Sequence, residues 1–175
     1  MLRSRSWRPG CPVPIGDLRV AALRYWGFDG AVHGGRLVVN ADVAADVVRV
    51  FRALFSARFP IRRMVPVDVY GASDERSMRA DNTSGFNCRP VADGSQWSQH
   101  AFGRAVDVDP LENPEVRGGV VDPPTARPYA DRTLRAPGMI HSGDAATRAF
   151  AAIGWGWGGN WRSLKDYQHF SLTGT

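Results

Sequence analysis

Apolar positions recur with helical spacing between Ala41 and Arg58. Val43, Val47, Val50, Phe51, Leu54 and Phe55 fall on one face, and arginines and aspartates take the other. Asn40 is placed to cap this helix. Asp42 and Asp46 lie near its start, Arg49, Arg52 and Arg58 lie towards its end, and Pro60 stops it. A second, shorter helix follows Asp144 as its cap, with Ala149, Phe150 and Ile153 as its apolar side and Gly154 as its stop. Val32 and the run Leu37 to Val39 flank Gly34 and Gly35, a pattern that predicts a hairpin turning at the glycines. Leu18 to Trp26 fits a helix or a strand equally well.

Other stretches are less regular. Ile61 to Tyr70 is apolar and extended, with a bend at Pro66. Gly71 to Gly85 is polar and loop-like, and Phe86 to Pro90 suits a short strand. From Arg104 to Asp109 the residues alternate, with Ala105, Asp107 and Asp109 on one face and Val106 and Val108 on the other. Carboxylates along one face of a strand point to a site rather than a core. Pro110 to Gly143 is rich in Pro and Gly without periodicity, which suits the wall of a cleft or a surface excursion. Trp155, Trp157 and Trp161 sit in a glycine-rich turn, where core packing is the expected role and a substrate platform the alternative. Tyr167 to Leu172 reads as a last strand.

The 175 residues suit an irregular arm over 1–17, where Pro9, Pro12 and Pro14 oppose regular structure, and one domain over 18–175. No stretch approaches the ~20 apolar residues of a membrane helix, and the first residues lack the apolar core of a signal peptide. The net charge of +5 suits an acidic partner, but no nucleic-acid motif accompanies it. Cys11 and Cys88, the two cysteines, are too few for a zinc site of their own and can form one disulfide in an oxidising compartment.

Four histidines are present. His100 opens the segment His100-Ala-Phe-Gly103-Arg-Ala-Val-Asp107, and His169 closes Asp166-Tyr-Gln-His169. Hydrolytic zinc sites take three protein ligands and leave a fourth position for water. His100, Asp107 and His169 supply such a set, and Gly103 permits the reversal that lets the first two converge. His33 and His141 have no motif around them and read as surface residues.

The full pattern S-x-H-x-x-G-x-A-x-D from Ser98 to Asp107, paired with D-x-x-H at Asp166 and His169, resembles the zinc D-alanyl-D-alanine carboxypeptidase family. That family includes VanY-like and L-alanyl-D-glutamate peptidases and shares its fold with the hedgehog signalling domain. The resemblance extends through Asn82 to Arg89 and Gly154 to Gly159. It implies an α+β fold, a small and mainly antiparallel sheet with helices on one side and the zinc cleft on the other. It also implies a Zn2+ ion on His100, Asp107 and His169, with Asp166 as general acid/base and Arg89 facing the substrate, the stem peptide of peptidoglycan.

From the residues alone, Asp166 can be the proton acceptor or a turn carboxylate. Arg89 can neutralise a substrate carboxylate or an oxyanion, or form a structural ion pair, and Ser98 can bind substrate or cap a turn. Asp109 suits a ligand's outer partner or a turn before Pro110. Many carboxypeptidases of the family carry Glu at the place of Asp166, and the Asp form looks more like the endopeptidase branch. The expected protein is a monomer of the cell envelope or exterior, with a cytoplasmic setting as the alternative. The rival function is a non-catalytic, zinc-stabilised binding module of the same fold.

Overall fold

A computed structural model describes residues 5–91, 94 and 96–174. The fold is α+β, with three small antiparallel sheets in place of a single one. The first sheet is the hairpin of β1 (Leu18–Trp26) and β2 (Val32–Asn40). Its turn falls at residues 27–31, around Asp29 and Gly30, rather than at Gly34 and Gly35. Gly30 has φ +73°, whereas the two later glycines lie inside β2. The backbone at Met64 crosses over Gly35 so closely that a Cβ there would meet the Met64 side chain at 2.6 Å. Gly35 serves close packing, not reversal, while Gly34 faces open space.

Helix α1 (Ala44–Ser56) lays Val47, Val50, Phe51 and Leu54 on the buried side of the hairpin, against Ala21, Leu23 and Tyr25. It starts later than the sequence suggests, with Val43 as its cap residue. Asn40 is drawn elsewhere: its side chain donates to the Phe102 carbonyl at 3.1 Å and accepts from the Asp42 amide. A short helix, α2 (Asp74–Arg79), stands where a loop was expected, with the Ser73 hydroxyl accepting from the Arg76 amide. Helix α3 (Ala145–Ala151) is capped by Asp144 as predicted, and Gly154 follows at φ +80°.

The second sheet is ordered β3 (Ala105–Asp107), β8 (His169–Ser171) and β6 (Gly156–Trp157). Residues 81–88 are buried, and Ser84 exchanges both backbone hydrogen bonds with Asp107 along the free side of β3. The third sheet is ordered β5 (Val120–Asp122), β4 (Glu115–Arg117) and β7 (Leu164–Asp166). The segment from Pro110 to Gly143 therefore supplies a hairpin. Its irregular remainder is held by Asn113 and Arg132. Arg132 donates to the carbonyls of Glu112, Tyr129 and Ile140, and its guanidinium lies 4.2 Å from the Tyr167 ring centre.

The N-terminal arm is fixed at several points. The Ser6 hydroxyl donates to Asp68, the Cys88 amide donates to the Ser6 carbonyl, and a disulfide joins Cys11 to Cys88. The bridge closes a loop across a sequence separation of 77. Removing it by Cys11→Ser should lower the unfolding free energy by about 2–5 kcal/mol, through the freedom returned to the unfolded chain. Urea unfolding of the two proteins measures this, and matching midpoints would count against it.

Candidate active site

Strand pairing builds the centre of the site. Asp107 on β3 and His169 on β8 are direct cross-strand partners, so their side chains stand together. His100 arrives from a 3-10 turn, Gln99–Phe102, whose start is capped by Ser98 through a bond from the His100 amide. Gly103 ends that turn at φ +66°, and a Cβ there would meet the Asn40 amide nitrogen at 2.6 Å. Only glycine combines that conformation with that approach.

The three side chains converge. His100 Nε2 lies 3.1 Å from Asp107 Oδ2 and 3.2 Å from His169 Nδ1, and His169 Nδ1 lies 3.1 Å from Asp107 Oδ1. One donor atom from each residue falls within 4.8 Å of the others, and all three residues are buried. His100 Nδ1 lies 2.6 Å from the Gly85 carbonyl, which accepts its proton and leaves a lone pair on Nε2. The set therefore turns electron-rich atoms towards one point, an arrangement suited to a cation. Burial opposes charge on His100, but Asp107 outweighs it and raises the imidazole pKa. Burial would raise Asp107, yet the two imidazoles hold it far below the usual carboxylate range. Two imidazoles and one carboxylate, with an ordered outer partner, fit a zinc ion by donor type and number.

Asp166 comes from the neighbouring sheet. It ends β7 opposite Glu115 of β4, and the chain then bends through Tyr167 and Gln168 into β8. Its Oδ1 is closed off from solvent and has no hydrogen-bond partner. Burial pushes its pKa up to about 8; His169 opposes the rise, while Asp107 and Glu115 add to it. Asp166, His100 and His169 line one cleft of about 140 Å3, together with Arg89, Ser98, Glu115, Arg117 and Trp161.

Arg89 is half-buried and paired with Asp74 at 2.7 Å, so the ion pair aims it along the cleft wall. Glu115, Arg117 and Trp161 were not singled out as site residues from the sequence. A readable signal existed for the first two: Glu-Val-Arg and Val-Val-Asp flank Gly118-Gly119, a two-glycine hairpin. Trp161 lies with its ring centre 5.4 Å from that of His169, while Trp155 and Trp157 are core, as expected. His33 pairs with Asp29, His141 contacts Arg135, and neither lines the cleft.

Asp109 is not a partner of a ligand histidine. It leaves the strand at φ +44° and accepts from the Arg62 amide at 2.9 Å, within a buried group that includes Thr83, Asp81 and Glu112. Burial pushes Glu112 up to about 8, and its hydrogen bond with Asp81 and the charge there add to the rise. A carboxyl raised in the folded state binds a proton on folding, so its contribution is complete below the ordinary value of 4.5 and is lost as pH climbs through about 8. Stability should therefore fall across that window, and Glu112→Gln should flatten the fall. Melting temperatures of both proteins at about pH 5.5 and about pH 8.5 test this; parallel profiles would sink it.

Residues 92–172 match the family model described as D-alanyl-D-alanine carboxypeptidase. This site-bearing segment is similar to that family across the whole of the ligand-bearing stretch. The matched carboxypeptidase segment holds both motifs, from Ser98 to Asp107 and from Asp166 to His169, whereas Arg89 and the two cysteines lie before it. No curated protein and no solved structure matches the chain. The match supports a peptidase, with a peptidoglycan-like substrate.

Proposed function

We propose that this protein is a zinc-dependent peptidase that hydrolyses a peptide bond in the stem peptides of peptidoglycan, outside the cytoplasm. The observation that carries the reading is Asp166: a buried, unpartnered carboxylate oxygen in the same cleft as a His/Asp/His set. Asp81, Asp109 and Glu112 also carry such an oxygen, at a cost of about 1–3 kcal/mol each, but only that of Asp166 lines the cleft beside the His/Asp/His set. The Cys11–Cys88 bridge supports an oxidising setting.

His100, Asp107 and His169 would hold the zinc ion, which when bound supplies Lewis acidity and lowers the pKa of water to about 7. Asp166 accepts a proton from the attacking water and returns one to the leaving amine. Arg89, steered by Asp74, and Arg117 present positive charge where a substrate carboxylate or a developing oxyanion would lie. Trp161 covers His169 and limits water at the ligand set.

Digestion of purified peptidoglycan with the zinc-loaded protein, followed by mass spectrometry of the products, tests the proposal. Release of D-alanine makes it a carboxypeptidase, the reading favoured by the family match. Release of stem peptides makes it an endopeptidase, the reading favoured by Asp166 in place of Glu. Unchanged peptidoglycan from several stem chemistries, with zinc bound throughout, would leave only the binding module.

A further inference from the structure

The hairpin carries a second surface, separate from the cleft. β1 pairs with β2 over nine residues without a bulge or a proline. Among the described residues no strand covers its other edge, and only Trp26 at its end bridges to Pro60. A long, flat, uncovered edge is a template for an added strand, and proteins ordinarily blunt such edges.

Along this edge runs a groove between β1 and α1. Two hollows of about 460 and 420 Å3 share Val48 and Arg52. The first touches Arg19, Val20 and Ala21 of β1, and the second touches Ala22, Leu23 and Arg24. Both hollows are lined by β1 and by residues of α1, with none from β2, which places them on the side of β1 away from its partner. The floor is apolar, and the rim is basic: Arg19 and Arg24 on β1, and Arg49 and Arg52 on α1. Asp46 offsets Arg49, and Arg52 has no acidic partner among the described residues.

We infer that the free edge of β1 binds an extended, acidic peptide segment of a partner protein by strand addition. Main-chain bonds to β1 supply the pairing, apolar side chains enter the groove, and alternate carboxylates meet the arginine rim. A second copy of this chain is the poorer occupant, because edge-to-edge pairing about a two-fold axis sets the same arginine rim against itself. A purely anionic polymer would use the rim and leave the strand edge unpaired.

The test is fluorescence anisotropy with a labelled hexapeptide alternating Glu and Val, against the full chain at low salt. Saturable binding is expected. It should weaken about tenfold or more in the double variant Arg19→Glu/Arg52→Glu, whose exposed substitutions leave the melting temperature unchanged. It should weaken as much when alternate amides of the peptide are N-methylated, which removes main-chain donors and keeps charge. Asp166→Asn should bind the peptide like the parent, which separates this surface from the catalytic reading. Equal affinity for the methylated peptide would overturn the inference in favour of a charge-only site for anionic polymers. Non-saturable binding, or binding unchanged in the double variant, would also overturn it, as would dimerisation in sedimentation that the peptide reverses.

Discussion

His100→Ala is expected to abolish zinc binding while the wild type binds one ion per chain. The imidazole supplies one of three convergent donors, and Asp107 and His169 alone leave two. Losing a mere outer partner of a ligand costs metal affinity about 10–100-fold, so losing a direct ligand must cost more. The stability consequence follows by linkage. A ligand present at about a thousand times its dissociation constant stabilises the folded state by about 4 kcal/mol, and the variant forfeits that term. It also leaves the Gly85 carbonyl without its donor and the Asp107 carboxylate short of a cation. Chelation should therefore lower the melting temperature of the wild type and leave the variant's unchanged. His33→Ala is the control, since His33 is exposed and contacts Asp29 alone among carboxylates. Full zinc occupancy in His100→Ala would remove the site as drawn.

The His100/Asp107/His169 cluster was legible because each half is a short motif, Ser98 to Asp107 and Asp166 to His169, joined by a single pairing across 62 residues. Gly103 fixes a reversal between His100 and Asp107, and one strand pairing brings Asp107 beside His169. Helices α1 and α3 were legible for the same reason, since their apolar faces repeat within a few turns. What escaped was decided at long range. Gly34 and Gly35 look like a turn, but both lie inside β2, and the small size of Gly35 serves the crossing of Met64, some thirty residues away in the chain. The true turn carries the Asp29-Gly30 pair, which competed with a more conspicuous double glycine. The segment from Pro110 to Gly143 shows no period because Asn113 and Arg132 order it through bonds to scattered carbonyls. α2 has six residues, too few for a helical repeat to show. Asp109 looked equivalent to Asp107 by alternation, yet the strand ends at Asp107 and the positive φ at 109 turns the second carboxylate away.

Asp166→Asn should fold and keep its zinc, yet lose activity by about 10²–10⁴-fold, the usual worth of general acid/base catalysis. The substitution keeps the shape at the end of β7 and removes the proton acceptor. Retention of metal separates this variant from His100→Ala, because an acid/base residue touches the reacting water and is not one of the three donors. The pH profile adds a second readout. With its pKa pushed up to about 8 by burial, Asp166 ionises late, and a cation at the ligand set pulls that value down. The rate should therefore rise with pH on an acid limb that lies below about 8, and the limb should vanish from the residual activity of Asp166→Asn. Asp166→Glu should recover part of the rate, since related carboxypeptidases use Glu at this place, with the limb shifted as the longer side chain changes its burial. Loss of metal in Asp166→Asn would make the residue a ligand. Full rate with metal retained would place the proton acceptor elsewhere, and Glu115 would be the next candidate. It faces Asp166 across the β4–β7 pair, lines the same cleft, and has its own pKa raised by burial against the pull of Arg117. Asp109 cannot take that role, because it lies outside the cleft, with one oxygen held by the Arg62 amide and the Thr83 hydroxyl.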